Sequence, residues 1–90
     1  MAHQQRQMWV VYVLRSLKNG RLYTGSTNDL ERRLSEHQRG KSRYTRHAGP
    51  FELLHTEQFD SRLDARRRER VLKTGRGRAF LAEVSERHAG

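Results

Sequence analysis

The hydrophobic pattern of the first third of the chain predicts a β-hairpin. Residues 8–15 read MWVVYVLR and residues 21–25 read RLYTG, and both segments are rich in the β-branched and aromatic side chains that favour strands. Asn19-Gly20 lies between them, and this pair is typical of the type I′ turn that joins antiparallel strands. A third strand is predicted over Phe51–Phe59.

The spacing of apolar residues changes from that of a strand to that of a helix near Asn28. Leu30, Leu34 and His37 recur at helical intervals, and Asn28 can cap this helix as the first residue of a capping box. The first helix is therefore predicted over roughly residues 28–39.

Two further helices are predicted in the second half of the chain. Asp60-Ser61 caps a helix that runs to about residue 74, Gly75-Arg76-Gly77 interrupts it, and a last short helix covers about residues 78–87. Residues 40–50, GKSRYTRHAGP, lack periodicity and form a basic loop. The predicted order is ββαβαα, which belongs to the α/β class in its α+β form.

The length and composition allow one domain with a thin core, because the chain has 90 residues of which 33% are hydrophobic. We expect residues 8–90 to form this domain and residues 1–7 to be a disordered tail.

The absence of cysteine excludes disulfide frameworks, the usual zinc fingers and thiol nucleophiles. The longest apolar stretch, residues 8–14, is far shorter than the roughly 20 residues that span a bilayer. The polar N-terminus carries no signal-peptide segment, so we expect a cytoplasmic protein.

The charge of the chain indicates the kind of partner. Lys and Arg number 19 against 10 Asp and Glu, which gives a net charge of +9, and lysine occurs only at Lys18, Lys41 and Lys73. Arginine therefore supplies most of the positive charge, and its guanidinium group binds phosphate in a planar, bidentate geometry. A nucleic acid is the first expected partner and an anionic surface the second; we expect no membrane partner.

Two tyrosines of the predicted hairpin are candidates for one site. A two-residue turn would pair Tyr23 with Ser16 and leave it about 13 Å from Tyr12, too far for a shared site. We therefore predict a longer, even-numbered loop, which draws Tyr12 and Tyr23 together on one face of the sheet. The alternative is that both tyrosines only pack in the core, since tyrosine is a favoured strand residue.

Arg33 and His37 are four residues apart and share a face of the first helix with its leucines. Both side chains are therefore expected to lean toward the sheet, whereas Arg32 faces solvent. The alternative is that Arg33 is one more solvated surface cation.

Glu69 is the one acidic residue between Arg66 and Arg78. It lies in helical register with Ala65 and Leu72, the apolar side of a basic helix, and this spacing directs its carboxylate inward. The alternative is a simple ion pair with Lys73 one helical turn away.

Together these residues resemble the GIY-YIG nuclease family over most of the chain, from about residue 9 to about residue 81. Val10-Val11-Tyr12 corresponds to the first family motif and Tyr23-Thr24-Gly25 to the second, with the spacing between tyrosines that the family pattern has. Residues 23–37, YTGSTNDLERRLSEH, are the strongest match. The chain is most similar to small stand-alone bacterial members, which also have a loop like Arg43-Tyr44-Thr45 and a segment like residues 73–78.

The resemblance implies a three-stranded antiparallel sheet flanked by helices and hydrolysis of a phosphodiester bond with one divalent metal, Mg²⁺ or Mn²⁺. By position it implies that Glu69 binds the metal, Arg33 steadies the phosphate, and Tyr12, Tyr23 and His37 activate and orient the nucleophile. Mg²⁺ keeps most of its waters and often binds one carboxylate plus a substrate phosphate, so we expect weak metal binding without DNA.

The predicted nucleic-acid contacts lie in the basic loop and the arginine-rich second half. They are Lys41, Arg43, Tyr44, Thr45, Arg46, Arg66, Lys73 and Arg76. The leading interpretation is a metal-dependent endonuclease that acts on single-stranded or branched DNA with little sequence preference. The alternatives are a nucleic-acid-binding module without turnover, and an RNA-directed nuclease or RNA-binding factor. Glu69 favours the enzyme, because a binding module has no need of a carboxylate that repels phosphate.

Overall fold

The computed structural model describes residues 8–41 and 45–89. Its elements are β1 (Trp9–Ser16), β2 (Leu22–Thr27), α1 (Leu30–Gln38), β3 (Phe51–Phe59), α2 (Arg62–Leu72) and α3 (Gly75–Ala89). The strands form one antiparallel sheet in the order β2-β1-β3, which confirms the predicted fold class and the order ββαβαα. The expected N-terminal tail and two predicted contacts, Arg43 and Tyr44, lie outside the described residues.

The hairpin has the longer loop that the tyrosine spacing required. Tyr23 pairs with Leu14, and the ladder continues to Ser16 and Arg21, so residues 17–20 form the loop. The prediction of a two-residue type I′ turn at Asn19-Gly20 is therefore wrong. Gly20 has a φ of 77°, whereas Asn19 does not have a positive φ. The Ser16 hydroxyl accepts hydrogen bonds from the backbone N–H groups of Lys18 and Asn19, at 3.1 Å each, which stabilises the wider loop.

Two helix starts differ from the predicted ones. The cap of α1 is Asp29 rather than Asn28, because the Asp29 carboxylate accepts the Arg32 N–H at 3.1 Å. Helix α3 starts at Gly75, three residues earlier than predicted, and the Thr74 hydroxyl accepts the backbone N–H of Gly77 at 3.2 Å. These two glycines therefore form the first turn of α3. The predicted Ser61 cap of α2 is confirmed, with its hydroxyl accepting the Asp64 N–H at 3.1 Å.

The sheet carries apolar side chains on both faces. Tyr12 and Leu14 belong to a cluster that includes Leu30 and Leu34 of α1. On the other face, Val11 and Val13 belong to a cluster that is completed by residues of α2 and α3, including Ala65, Leu72 and Leu81. Strand β2 is an edge of the sheet, with α1 on one face and α2 on the other. Among the described helices, none has the length and apolar character needed to cross a membrane.

Candidate active site

A cleft of about 240 Å³ lies beside strand β2 and is lined from α1 on one side and from α2 on the other. The five residues predicted to be catalytic all line it. Its full lining is Tyr12, Tyr23, Thr24, Gly25, Ser26, Arg33, His37, Arg66, Glu69 and Lys73. Side chains from both faces of the sheet therefore reach one space, which the sequence pattern of any single element does not reveal.

Tyr12 is the buried centre of the half of the site that α1 covers. Its side chain is 3% exposed, and its Oη lies 3.0 Å from Nε2 of His37 and 3.4 Å from Nε of Arg33. Arginine has only donors, so Arg33 donates to the phenol oxygen, and we assign the Tyr12 proton to the hydrogen bond with His37 Nε2. The hydrogen bonds therefore run in one direction, from Arg33 through Tyr12 to His37.

Thr45 ends this line of hydrogen bonds and does not have the position predicted for it. The sequence predicts that it contacts nucleic acid, but it is 1% exposed and its Oγ1 lies 2.6 Å from Nδ1 of His37. A ring that accepts at Nε2 carries its proton on Nδ1, so His37 donates to Thr45. Thr45 is therefore a buried support for the histidine and not a surface contact.

The protonation states follow from burial. Burial raises the pKa of Tyr12 above its usual value, and the hydrogen bond from Arg33 opposes this shift. Burial lowers the pKa of His37, and the positive charge of Arg33 lowers it further. At neutral pH Tyr12 is therefore a protonated phenol and His37 a neutral acceptor, as the hydrogen-bond direction requires.

Tyr23 and Gly25 shape the mouth of the cleft from β2. Tyr23 packs edge to face on Phe51, with ring centroids 5.7 Å apart, and also lines the cleft. Gly25 pairs with Tyr12 across the hairpin, and a Cβ at Gly25 would lie 2.5 Å from Tyr12 Oη. A side chain at this position would collide with the phenol, so only glycine leaves its hydroxyl in place.

Glu69 supplies the carboxylate from the α2 side. Its Oε1 accepts a hydrogen bond from the Ser26 hydroxyl at 2.8 Å, and its Oε2 pairs with Lys73 Nζ at 2.9 Å. The side chain is 17% exposed, so the inward position and the ion pair with Lys73, which were alternatives in the sequence, both occur. Ser26 was missed, and its signal was the strand alternation that puts Thr24 and Ser26 on the face toward α2.

Comparison with known proteins identifies the family of the chain. The model of the GIY-YIG catalytic domain matches residues 8–79. The chain belongs to the GIY-YIG family, a family of nucleases.

Relatives of this GIY-YIG domain occur in archaea and bacteria. The chain is 49% identical to a UPF0213 protein of Natronomonas pharaonis, over 71% of this chain and 75% of that one. It is 47% identical to a UPF0213 protein of Nitratidesulfovibrio vulgaris, over 74% of this chain but only 61% of that protein. The solution NMR structure of a UPF0213 protein from Bacillus halodurans matches with a TM-score of 0.53 and 39% identity, over 86% of this chain and 84% of that one.

The donors in this GIY-YIG site suit a hard divalent cation. Of the described residues that line the cleft, Glu69 provides a carboxylate and Ser26 a hydroxyl beside it. The described part of the chain has no group of three or more His, Cys, Asp or Glu side chains that can hold a metal ion. A single carboxylate fits a cation such as Mg²⁺, which keeps several waters and takes its other ligands from substrate phosphate.

The remaining predicted contacts divide into two groups. Arg66 and Lys73 line the cleft, and together with Glu69 and Arg70 they also line a neighbouring groove on α2. Lys41, Arg46 and Arg76 are exposed and lie outside the lining of the cleft.

Arg32 and Arg33 differ in exposure, as the sequence predicts. The side chain of Arg32 is 67% exposed, whereas that of Arg33 is 41% exposed and reaches Tyr12.

Proposed function

We propose that this chain is an endonuclease that hydrolyses phosphodiester bonds of single-stranded or branched DNA with Mg²⁺ or Mn²⁺ as cofactor. One observation carries the proposal: a carboxylate, a guanidinium and a phenol that is hydrogen-bonded to a neutral histidine face one cleft. Phosphodiester hydrolysis can use these groups, because charge builds on the phosphoryl oxygens while the attacking water loses a proton.

The Tyr12–His37 pair is suited to move that proton. If the Tyr12 proton shifts to His37 Nε2, the phenolate that remains lies beside Arg33 and can take a proton from water. The ordinary pKa values of the two groups make this shift unfavourable by at least about 5 kcal/mol. The phenolate is therefore short-lived and forms only as the water attacks the phosphorus, with the Arg33 charge stabilising it.

Arg33 and Glu69 hold the other charged participants. The guanidinium of Arg33 faces the cleft and is oriented by Glu36, whose Oε1 accepts from Nη1 at 2.9 Å. It is placed to bind a phosphate oxygen through its remaining donors. Glu69, with Ser26 beside it, would hold the divalent cation, which supplies Lewis-acid stabilisation of the phosphoryl oxygens when bound.

Replacement of Glu69 by glutamine tests this function. A neutral amide is a poor ligand for a hard cation, so Glu69→Gln should abolish cleavage at every Mg²⁺ or Mn²⁺ concentration. Binding to DNA in EDTA should persist or tighten, because the change removes a negative charge from a basic surface. The assay uses labelled single-stranded, duplex and forked DNA and a matched RNA strand, with metal and with EDTA.

Asp64→Asn is the matched control. Asp64 is an exposed carboxylate in the first turn of the same helix and does not line the cleft, so this variant should cleave at the parental rate. Cleavage by a folded Glu69→Gln protein at a rate near that of the parent would contradict the proposal. A parent protein that binds DNA but never cleaves it would instead indicate a binding module.

A further inference from the structure

The carboxylate of Glu69 is engaged at both oxygens. Ser26 donates to Oε1 at 2.8 Å, and the ammonium group of Lys73 lies 2.9 Å from Oε2. The residues differ in exposure, since the side chain of Glu69 is 17% exposed and that of Lys73 is 48% exposed. The carboxylate is thus held in place, whereas the lysine that covers it has room to move into solvent.

The ion pair competes directly with a divalent cation. The ammonium group occupies one of the two carboxylate oxygens and carries a charge of the same sign as a metal ion. A cation that binds Glu69 must therefore displace Lys73 or share the carboxylate with it against electrostatic repulsion. The free protein pays this cost each time a metal binds.

A nucleic-acid backbone offers Lys73 a different anion. Lys73 lines the cleft beside Arg66 and is the C-cap of helix α2, and its flexible side chain can reach a phosphate that enters the cleft. Ser26 remains hydrogen-bonded to Oε1 when the lysine leaves, so the carboxylate keeps its orientation. A bound phosphate therefore exposes a preoriented metal ligand.

We infer that Lys73 couples metal binding to nucleic-acid binding. In the free protein it closes the Glu69 carboxylate, and a backbone phosphate releases it, so that each ligand strengthens the binding of the other. This inference rests on the proposed function, because it concerns the same carboxylate and the same substrate. It assigns Lys73 a regulatory role that differs from that of the other cations in the cleft.

The first test measures Mn²⁺ binding to the free protein by electron paramagnetic resonance. Lys73→Met removes the ammonium group and keeps a side chain of similar length, so its Kd for Mn²⁺ should fall about fivefold, the size expected for a partly exposed ion pair. Lys73→Arg restores a cation next to Glu69 and should bind Mn²⁺ as the parent does.

Arg70→Met is the matched control for loss of one positive charge. Arg70 follows Glu69 in the chain and lines the same groove on α2, but its guanidinium forms no ion pair with the carboxylate in the described structure. It should change the Kd for Mn²⁺ by less than about twofold, the effect of a screened surface charge. Equal effects of Lys73→Met and Arg70→Met would overturn the inference.

The second test measures the coupling itself. The Kd for a labelled phosphorothioate single strand, which resists cleavage, is determined by fluorescence anisotropy in EDTA and in saturating Mn²⁺. The ratio of the two Kd values is the coupling factor, and by linkage it equals the effect of DNA on metal binding. Lys73→Met should lower this factor about fivefold relative to the parent and to Arg70→Met.

Failure of this inference and failure of the proposed function are distinguishable. If Lys73→Met binds Mn²⁺ no more tightly than the parent and its coupling factor is unchanged, the role of Lys73 is overturned. This holds even if cleavage depends on Glu69. Cleavage that survives Glu69→Gln overturns the proposed function, and the Mn²⁺ titration still decides whether Lys73 closes the carboxylate.

Discussion

Single residues set the line of hydrogen bonds in the cleft. Arg33 can only donate to the Tyr12 oxygen, and with the tautomer assigned to His37, Tyr12 donates to His37 and His37 donates to Thr45. Within the described residues no buried side-chain nitrogen or oxygen lacks a hydrogen-bond partner. Each member of the line therefore depends on the next, and the loss of the last one affects the first.

Thr45→Val tests this dependence at the residue scale. Valine fills the same volume but leaves the Nδ1–H of His37 without an acceptor, which should lower the free energy of unfolding by about 1 to 3 kcal/mol. The ring can then adopt the other tautomer, which no longer accepts from Tyr12, so cleavage should slow roughly tenfold. Thr45→Ser keeps the hydroxyl and should restore most of both quantities in denaturation and cleavage assays.

The pH profile separates this role from a loss of packing. The pKa of His37 is lowered mainly by burial, so parental cleavage should be full above about pH 6.5 and decline as the pH falls below it. The free energy of unfolding should also fall as the pH drops below this value, because His37 binds a proton more readily in the unfolded chain than in the folded one. The imidazolium form must carry a proton on Nδ1, so Thr45→Val should move the acid limb to lower pH. If the acid limb of the Thr45→Val profile does not move, Thr45 acts only through packing.

At the scale of elements, glycines permit the close approaches that build the site. Gly25 lets β2 lie against the Tyr12 hydroxyl, and Gly77 lets α3 begin against the end of α2. A Cβ at Gly77 would lie 2.3 Å from the carbonyl oxygen of Val71 and 2.4 Å from Cα of Leu72. Backbone atoms cannot rotate out of the way, so the two helices would have to separate.

Gly77→Ala should therefore destabilise the protein, whereas Gly75→Ala should not. Separation of the helices disturbs Leu72 and Leu81, which are each 1% exposed, so we expect a loss of about 1 to 3 kcal/mol in urea denaturation. A Cβ at Gly75 meets no atom within 4 Å, and alanine favours the helix by up to about 1 kcal/mol. Equal stabilities of the two variants would contradict the close packing of α2 and α3.

At the scale of the whole molecule, the net charge of +9 is distributed unevenly. Some arginines are engaged in structural pairs, such as Arg15 with Glu52 and Arg68 with Glu57. Others are exposed on α2 and beside the cleft, where a phosphate backbone can reach them. Long-range attraction then brings nucleic acid to the surface that holds the site.

The salt dependence of DNA affinity tests which cations contact the backbone. Replacement of Lys41, Arg43 and Arg46 by alanine should lower the slope of log K against log salt by about 2 for a single strand. Arg87→Ala is the control. Arg87 lines a separate groove with His55 and Phe80, so its replacement should leave the slope near that of the parent. An unchanged slope in the triple variant would confine backbone contacts to the cations of α2 and the cleft. Fluorescence anisotropy at several salt concentrations provides the measurement.

The sequence by itself determined the elements, because their signals are local. Strand β3 has the predicted bounds, Phe51–Phe59, and Ser61 caps α2 as predicted. Strand alternation places Tyr12 and Tyr23 on one face once the loop is even, and helical spacing turns Glu69 toward the sheet. Each of these properties depends on residues within a few positions of one another, whose backbone geometry is periodic.

The tertiary structure decided how the elements meet, because the deciding contacts join distant parts of the chain. Ser26 reaches Glu69 only when α2 packs beside the edge of β2, and no local pattern encodes that distance. Thr45 is buried against His37, although its sequence neighbours are basic and polar. Strand alternation gives the face on which Ser26 lies but not its partner, and Thr45 lies in a segment without periodicity, so both roles depend on packing energy summed over the whole fold.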